Sequence, residues 1–171
     1  PQLALWGGSV EIIDDKGNTL PNTKAFNNGM HLDPKEVVKK ISHNNLFCHS
    51  SIVIKKEVLE EFGGYAEKYL HSEDYFLWFQ TVQKYKAEIL AEKLVLFRYH
   101  PQSISRKFIL EQQKSSLALR RTFCYSIGNP LVNLAYILKD TILFYLRLAK
   151  SYLLELHLFK RTNKRNKESV K

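Results

Sequence analysis

The pattern that best indicates the fold class lies in residues 45–100, NLFCHSSIVIKKEVLEEFGGYAEKYLHSEDYFLWFQTVQKYKAEILAEKLVLFRYH. Its short β-branched and apolar runs alternate with segments of helical character. Residues 50–54 alternate and predict a strand. Residues 55–62 predict a two-turn helix that stops at Gly63-Gly64, where Gly63 suits the left-handed C′ position. Strands alternating with helices favour an α/β layer architecture.

The second half of this stretch predicts a longer helix followed by two strands. Ser72 is the predicted N-cap, and Glu73 and Asp74 fall in the first turn, where the helix dipole favours carboxylates. The helix is expected to end near residue 85. Residues 87–90 and 94–99 then predict two separate strands.

The segments before this stretch add a strand, a turn and a short helix. Residues 3–13 predict an extended strand, and Asp15-Lys16-Gly17-Asn18 predicts a turn to a second short strand. Residues 21–30 are rich in Asn and Gly and predict a loop. Asp33 followed by Pro34 is a typical N-cap and first helical residue, with the helix continuing to about Ile41.

The C-terminal third predicts helices. Residues 107–126 are helical in pattern, and the break before Pro130 starts an apolar helix over residues 131–159. Polar residues recur along that helix in a narrow stripe: Asn133, Asp140, Arg147, Ser151 and Glu155. Charges interrupt every 20-residue apolar span, so no transmembrane helix is predicted. The helix either packs on protein or lies in a membrane interface with the basic tail at lipid phosphates.

Composition limits the class of protein. The chain has 171 residues, 44% of them hydrophobic, which suits one globular domain with a core. Cys48 and Cys124 form neither a zinc signature nor a disulfide framework, and this favours a reducing cytosol. We therefore expect a cytoplasmic location, with peripheral attachment to the inner face of the cell membrane if the long helix is interfacial. The net charge of +9 makes nucleic-acid binding a minor alternative, because no recognisable nucleic-acid-binding motif accompanies it.

Four runs resemble one enzyme family when they are taken in order. They are WGGSVEIIDDKGNTL, NLFCHSSIVIKKEVLEEFGGYAEKY, HSEDYFLWFQ and LVLFRYHPQSIS. Together they are similar to the acceptor-side half of family-2 glycosyltransferases of the GT-A fold, which have patterns close to N-x-x-x-H-S-S, G-G-Y-x-E, E-D-Y-x-L-W and Y-R-x-H-x-x-S-x-S. The resemblance covers residues 5–106 and implies an incomplete GT-A (Rossmann-like) domain, followed by C-terminal helices.

The resemblance implies roles for several residues. Asp74 is the expected catalytic base of an inverting sugar transfer, and Glu73 would orient it or contact the acceptor. Trp78, one turn later, is expected either to offer a platform to a sugar ring or to pack in the core. The remaining residues implied on the acceptor side are His49, Ser50, Gly63 and Gly64.

The resemblance also implies binding of a nucleotide-sugar donor and a divalent metal, Mn²⁺ or Mg²⁺. His100 is the expected later metal ligand, next to the ligands of a DxD motif. Arg98, Arg106 or Lys107 would meet diphosphate oxygens. The acceptor would be a glycan or a lipid-linked glycan, and family analogy suggests a bacterial-type surface polysaccharide.

The chain departs from the family in lacking the front half with its DxD loop. Asp14-Asp15 is read as turn chemistry instead. We therefore expect residues 1–106 to form the second half of a catalytic domain, 107–160 a helical extension and 161–171 a basic tail. Such a chain would be inactive alone, and its exposed sheet edge would favour association, including homo-oligomers. The alternatives are a non-catalytic interaction module and, less favoured, a nucleic-acid-binding domain.

Overall fold

The structure is a computed structural model, and it describes residues 1–20, 29–100, 103 and 107–168, with the backbone only at 151 and 154–168. The protein is mixed α/β, with a small three-stranded sheet. Its helices and strands are, in chain order, β1 (Leu3–Ile13), α1 (Pro34–Ile41), β2 (Ile52–Ile54), α2 (Lys56–Glu61), α3 (Glu73–Lys84), β3 (Lys86–Arg98), α4 (Ile109–Phe123) and α5 (Pro130–Glu168). Most of the predicted loop at 21–30, and Arg106, fall outside the described residues.

The sheet has the order β2-β1-β3. β2 runs antiparallel to β1, and β3 runs parallel to it from the pair Leu3–Lys86 to the pair Ile13–Arg98. The prediction of two strands at 87–90 and 94–99 is wrong, because β3 is continuous. Gly7 pairs with Ile89 but Ser9 pairs with Lys93, so an irregularity in β3 takes up the extra residues between the two predicted strands.

Local signals account for the helix ends in two places and fail in one. Asp33 caps α1 as predicted, and its Oδ1 accepts hydrogen bonds from the backbone N–H groups of Lys35 and Glu36, each at 2.9 Å. Gly63 has φ 72° after α2, as predicted. Ser72 precedes α3 but does not cap it with its side chain. Its hydroxyl instead donates to the carbonyl of Gln112 in α4 at 3.2 Å.

The turn after β1 forms, but the predicted second strand of the hairpin reduces to one bridge between Ile13 and Thr19. Asp14 Oδ1 accepts from the backbone N–H groups of Lys16 and Asn18, both at 2.8 Å. These bonds also lower the pKa of the Asp14 carboxyl, with the side-chain bond from Asn18 as the largest cause. The adjacent acids at 14 and 15 therefore include one that organises a turn.

One core joins the sheet to the helices. Its largest fully buried side chains are aromatic and include Phe47, Tyr75, Trp78 and Phe79. Leu119 of α4 and Ile127 belong to the same cluster as these aromatic residues. The helical segment after residue 107 thus shares its core with the α/β part. No described helix has the length and apolarity needed to cross a membrane.

Candidate functional site

Asp74 lies in the first turn of α3, half-buried. Its Oδ1 accepts a hydrogen bond from the backbone N–H of Tyr75 at 2.6 Å. The amide nitrogen of Asn45 lies 3.5 Å from Oδ2, a long contact that restrains this oxygen weakly. One carboxylate oxygen is therefore held by the helix end, and the other keeps most of its capacity to accept a proton.

The surroundings of Asp74 raise the pKa of its carboxyl above the usual aspartate value. Burial is the largest cause, since it penalises the charged form, and the Glu73 carboxylate acts in the same direction. The Tyr75 N–H bond, the charge of His49 and the Asn45 contact oppose this rise without cancelling it. A carboxylate with a raised pKa is a stronger base than an ordinary aspartate.

His49 and Tyr65 form a polar and aromatic pair next to this carboxylate. His49 Nε2 lies 2.9 Å from Tyr65 Oη, and the two ring centroids are 5.2 Å apart. Both side chains are exposed. Partial burial and the charges of Asp74 and Glu73 raise the pKa of the Tyr65 hydroxyl. These mutual effects place His49, Tyr65, Glu73 and Asp74 in one electrostatic neighbourhood.

Trp78 supports this pair from beneath and does not form an open platform. Its side chain is 0% exposed, and its ring meets the rings of His49 and Tyr65 edge-on at 6.1 and 6.5 Å. The expectation of a sugar platform is therefore wrong and the core-packing alternative holds, because α3 turns this position toward the core. Trp78 Nε1 is buried and has no hydrogen-bond partner among the described residues.

Glu73 stands at the first position of α3, half-buried. Its Oε2 is buried and has no hydrogen-bond partner in the described part of the chain. A buried acceptor without a donor costs free energy, so this atom favours the approach of a donor such as a hydroxyl. Glu73 is thus placed both to raise the proton affinity of Asp74 and to receive a hydrogen bond.

Gly63 and Gly64 form the turn that places Tyr65 next to His49. Their φ angles are 72° and 75°, and a Cβ at either position would meet nothing within 4 Å. The Gly64 N–H donates to the Leu59 carbonyl at 2.9 Å, which closes α2. Glycine is required here by the backbone conformation rather than by close approach of another group.

Ser50 is exposed in the short 3-10 helix His49–Ser51. The neighbouring Ser51 is the buried one, and its hydroxyl donates to the carbonyls of Gly8 and Cys48 at 2.9 and 3.0 Å. This double contact ties the segment that carries His49 to β1. Ser50 therefore lies exposed beside His49, while Ser51 holds the segment in place.

Arg98 lies at the end of β3 and contacts the turn after β1. Its Nη1 donates to the backbone carbonyls of Asp14 and Asp15 at 2.7 and 2.9 Å. Its observed role is therefore to fasten this turn, and the expectation of a diphosphate contact stays untested.

His100 follows two residues after Arg98 and is exposed. Its carbonyl accepts a hydrogen bond from the Ser103 N–H at 3.0 Å. Across the described ranges, no three His, Cys, Asp or Glu side chains are grouped so that they could hold a metal ion. The described residues therefore do not by themselves form the expected metal site.

Sequence patterns missed the residues that position α3. His71, two residues before Glu73, has φ 63°, an uncommon value for a residue other than glycine. Its ring stacks on Phe108 with the centroids 4.5 Å apart, and its carbonyl accepts from Gln112 Nε2 at 3.1 Å. Together with the Ser72 contact, α4 thus holds the turn that presents Asp74. The sequence near His71 does not predict these partners, because they lie about forty residues further along the chain.

Asn45 and Tyr65 also lacked an assigned role, although both stand within the quoted runs. Both belong to the quoted patterns, Asn45 to N-x-x-x-H-S-S and Tyr65 to G-G-Y-x-E. Only the fold, however, brings both toward Asp74.

Comparison of the chain with models of protein families, with curated proteins and with solved structures finds no match. A functional assignment therefore rests on the residues and their geometry. The cluster contains a carboxylate of raised pKa, a second acid with an unpaired oxygen, and an exposed His–Tyr pair. Such a set can accept a proton from a hydroxyl and hold other hydroxyls nearby by hydrogen bonds.

Proposed function

We propose that this chain supplies the acceptor side of an inverting glycosyltransferase, with Asp74 as the general base. One observation carries most of the weight: a half-buried carboxylate with a raised pKa stands in the first turn of α3, next to exposed hydrogen-bonding side chains. The ordered runs that resemble family-2 glycosyltransferases support the same choice. The acceptor is a glycan or a lipid-linked glycan.

In this reaction an acceptor hydroxyl attacks the anomeric carbon of the donor sugar. A bond forms between the acceptor oxygen and that carbon, and the bond from the carbon to the leaving nucleoside diphosphate breaks on the opposite face. Asp74 takes the hydroxyl proton as the new bond forms. General bases of this kind contribute roughly 10²–10⁴-fold to the rate.

The neighbours of Asp74 have supporting roles in this proposal. The His49–Tyr65 pair hydrogen-bonds acceptor hydroxyls, with Ser50 beside it. Glu73 receives a hydrogen bond on its unpaired Oε2 and keeps the proton affinity of Asp74 high. The Gly63-Gly64 turn fixes Tyr65 relative to His49.

Donor binding is assigned to groups outside this cluster. A nucleoside diphosphate and a divalent ion, Mn²⁺ or Mg²⁺, need more ligands than the described residues bring together. His100 and Arg98 remain proposed contributors from this chain. When bound, the ion would offset the negative charge of the departing diphosphate.

The test uses the native gene product in its source cell. Cell extracts would be supplied with a panel of radiolabelled UDP-, GDP- and dTDP-sugars, and incorporation into glycan or lipid fractions would be measured. We expect the Asp74→Asn substitution to reduce incorporation of one label by about 100-fold or more. Asp33→Asn, which removes a surface carboxylate at a helix cap, is the matched control and should leave incorporation unchanged.

Equal incorporation by the Asp74→Asn protein would contradict the assignment of the base. If a glycan then still bound to the chain, the interaction-module alternative would be favoured instead.

A further inference from the structure

The long helix α5 buries polar side chains and exposes apolar ones, whereas a surface helix normally does the opposite. Asn133, in the predicted polar stripe, is 1% exposed. It accepts from the Ser42 hydroxyl at 2.7 Å and donates to the carbonyls of Cys124 and Ile127 at 2.9 and 2.6 Å. The polar stripe therefore points into the protein at this position.

Asp140, the next member of the stripe, is also used internally. Its Oδ2 accepts from Nη1 of Arg120 at 2.7 Å, and this guanidinium also donates to the His43 carbonyl at 2.7 Å. Arg120 is 7% exposed. One turn before Asp140, Tyr136 stacks on the His43 ring with centroids 4.0 Å apart. Between residues 133 and 140, the polar side of α5 thus bonds to α4 and to the segments after α1 and α4.

The opposite side of α5 is apolar and exposed. At about 100° per residue, one set of positions falls on the side away from Asn133 and Asp140. We name this set the apolar face: Leu131, Leu138, Ile142, Tyr145, Leu146 and Leu153, each between 57% and 78% exposed. A helix that faces water normally shows polar residues on this side. An apolar surface of this extent marks a contact with another phase or molecule.

Cations border the apolar face on one side. Lys139 and Lys150 of α5 are exposed and lie next to it on the helix. Lys139 Nζ lies 3.9 Å from Oδ1 of Asp140, whose other oxygen bonds Arg120 at 2.7 Å. Tyr145 and Tyr152, both 63% exposed, have the amphipathic rings that suit a boundary between water and an apolar phase.

The other side of the apolar face borders a cleft of about 640 Å³ between α4 and α5. Its apolar walls include Leu117, Phe144 and Leu148, and its lining also includes the exposed Lys114 and Arg121. Glu111 is the single acid in this lining. The exposed apolar surface thus has basic side chains on both flanks.

We propose that the apolar face binds the surface of an anionic lipid bilayer, with α5 lying in the plane of the membrane. The leucines would enter the boundary between headgroups and acyl chains, and the flanking cations would meet lipid phosphates. Charge complementarity selects this occupant, since the chain carries +9 and residues 160–171 hold six Lys or Arg against one Glu. The 39 residues of α5 span roughly 58 Å, far beyond the ~30 Å hydrocarbon core, which suits an in-plane helix.

Vesicle flotation of the full chain tests this directly. The vesicles are pure phosphatidylcholine or phosphatidylcholine with 30 mol% phosphatidylglycerol. We expect partition onto the anionic vesicles to be at least tenfold stronger and to weaken as salt rises. Equal partition onto both kinds of vesicle would overturn the charge selection, and no partition onto either would overturn the proposal.

Matched triple variants locate the contact. Leu138→Gln/Ile142→Gln/Leu146→Gln should lower partition onto anionic vesicles at least tenfold. The control is Leu70→Gln/Leu94→Gln/Leu96→Gln, which replaces three similarly exposed leucines away from α5 and should bind as the unchanged chain does. Circular dichroism of all proteins checks that the fold persists. Equal losses in both triple variants would contradict the assignment to this face.

Charge variants and a depth measurement complete the test. Lys139→Gln/Lys150→Gln should lose roughly fivefold in partition per lysine removed, whereas Lys16→Gln/Lys35→Gln should lose far less. A tryptophan introduced by Ile142→Trp should be quenched by brominated lipid, and one introduced by Leu70→Trp should not.

Sedimentation of the same proteins distinguishes a membrane from a second copy of the chain as the partner of the apolar face. If the unchanged chain forms a dimer that the α5 triple variant dissociates, and vesicles do not bind, then the apolar face joins two copies and the proposal is overturned. Vesicle binding that survives Asp74→Asn is also expected, because the surface acts independently of the proposed chemistry.

Discussion

His49 Nε2 lies 2.9 Å from Tyr65 Oη. This hydrogen bond joins the short 3-10 helix before β2 to the glycine turn after α2. It lies within electrostatic reach of Asp74, which affects the pKa of Tyr65 and is itself affected by His49. The pair therefore couples two loops to the carboxylate that we propose as the base.

The Tyr65 hydroxyl is expected to act mainly on the acceptor. Tyr65→Phe removes one exposed hydrogen bond, so the free energy of unfolding should fall by about 1 kcal/mol or less. The acceptor KM in a sugar-transfer assay should rise roughly fivefold if the hydroxyl bonds the acceptor with the same strength. The matched control is Tyr85→Phe, which removes a comparable 2.6 Å bond to Glu61. Equal KM values in the two variants would contradict a role for Tyr65 at the acceptor.

Asp74 is expected to reduce stability at neutral pH. Its pKa is raised in the folded state, chiefly by burial, so folding favours the protonated carboxyl and loses stability as pH rises through that raised pKa. Asp74→Asn should therefore melt at a higher temperature than the unchanged chain at pH 7. The difference should shrink as pH falls toward the ordinary aspartate value of 3.8. Thermal melts from pH 3 to pH 7 measure it.

Asp33→Asn should change the melting temperature in the opposite direction in the same experiment. The backbone N–H groups of Glu36 and Lys35 lower the pKa of the Asp33 carboxyl, so its charge stabilises the fold above the ordinary value and this contribution is lost as pH falls through the lowered pKa. At pH 7 this variant should melt below the unchanged chain. The same pH trend in both variants would contradict the buried setting of Asp74.

The two neighbouring glycines of β1 should differ in their tolerance of alanine. A Cβ at Gly7 would lie 2.7 Å from Cδ1 of Phe47, which is 1% exposed and cannot move aside. A Cβ at Gly8 would lie 2.3 Å from Cγ of Leu94, which is 53% exposed and can turn away. Gly7→Ala should cost about 1–3 kcal/mol in urea unfolding, and Gly8→Ala clearly less. The reverse order would contradict the packing of Phe47 on β1.

The contact between Arg120 and Asp140 should contribute strongly to the docking of α5. Asp140→Asn leaves a guanidinium of 7% exposure without its charged partner. Because the Asp140 side chain is 27% exposed, the expected loss is about 1–3 kcal/mol, below that for a fully buried pair. Asp15→Asn in the exposed turn is the control and should change stability by less than about 0.5 kcal/mol. Equal effects in urea unfolding would show that the pair adds nothing to the docking of α5.

Local chemistry was enough to predict part of the fold. Asp33 followed by Pro34, and the left-handed Gly63, depend on the nearest residues alone and were predicted correctly. The continuous β3 was missed, since a change of register within one strand and a break between two strands look alike in sequence. Ser72 resembled a cap, but Gln112 competes for its hydroxyl from another helix.

In the site, too, some residue positions follow from the local sequence and others from tertiary packing. The placement of Asp74 in the first turn of α3 follows from the residues around it. The burial of Trp78 and the attachment of Arg98 to the turn at 14–18 depend on how the sheet and helices pack. For the same reason the polar stripe of α5 was visible in the sequence, but the inward direction of Asn133 and Asp140 was not.

The pH dependence of sugar transfer by the native gene product tests the central claim most directly. With Asp74 as base, the initial rate should rise with pH along a limb whose midpoint lies above the ordinary aspartate pKa of 3.8. In Asp74→Asn the rate should fall by about 100-fold or more and this limb should disappear. A variant that keeps both the rate and the limb would contradict the account.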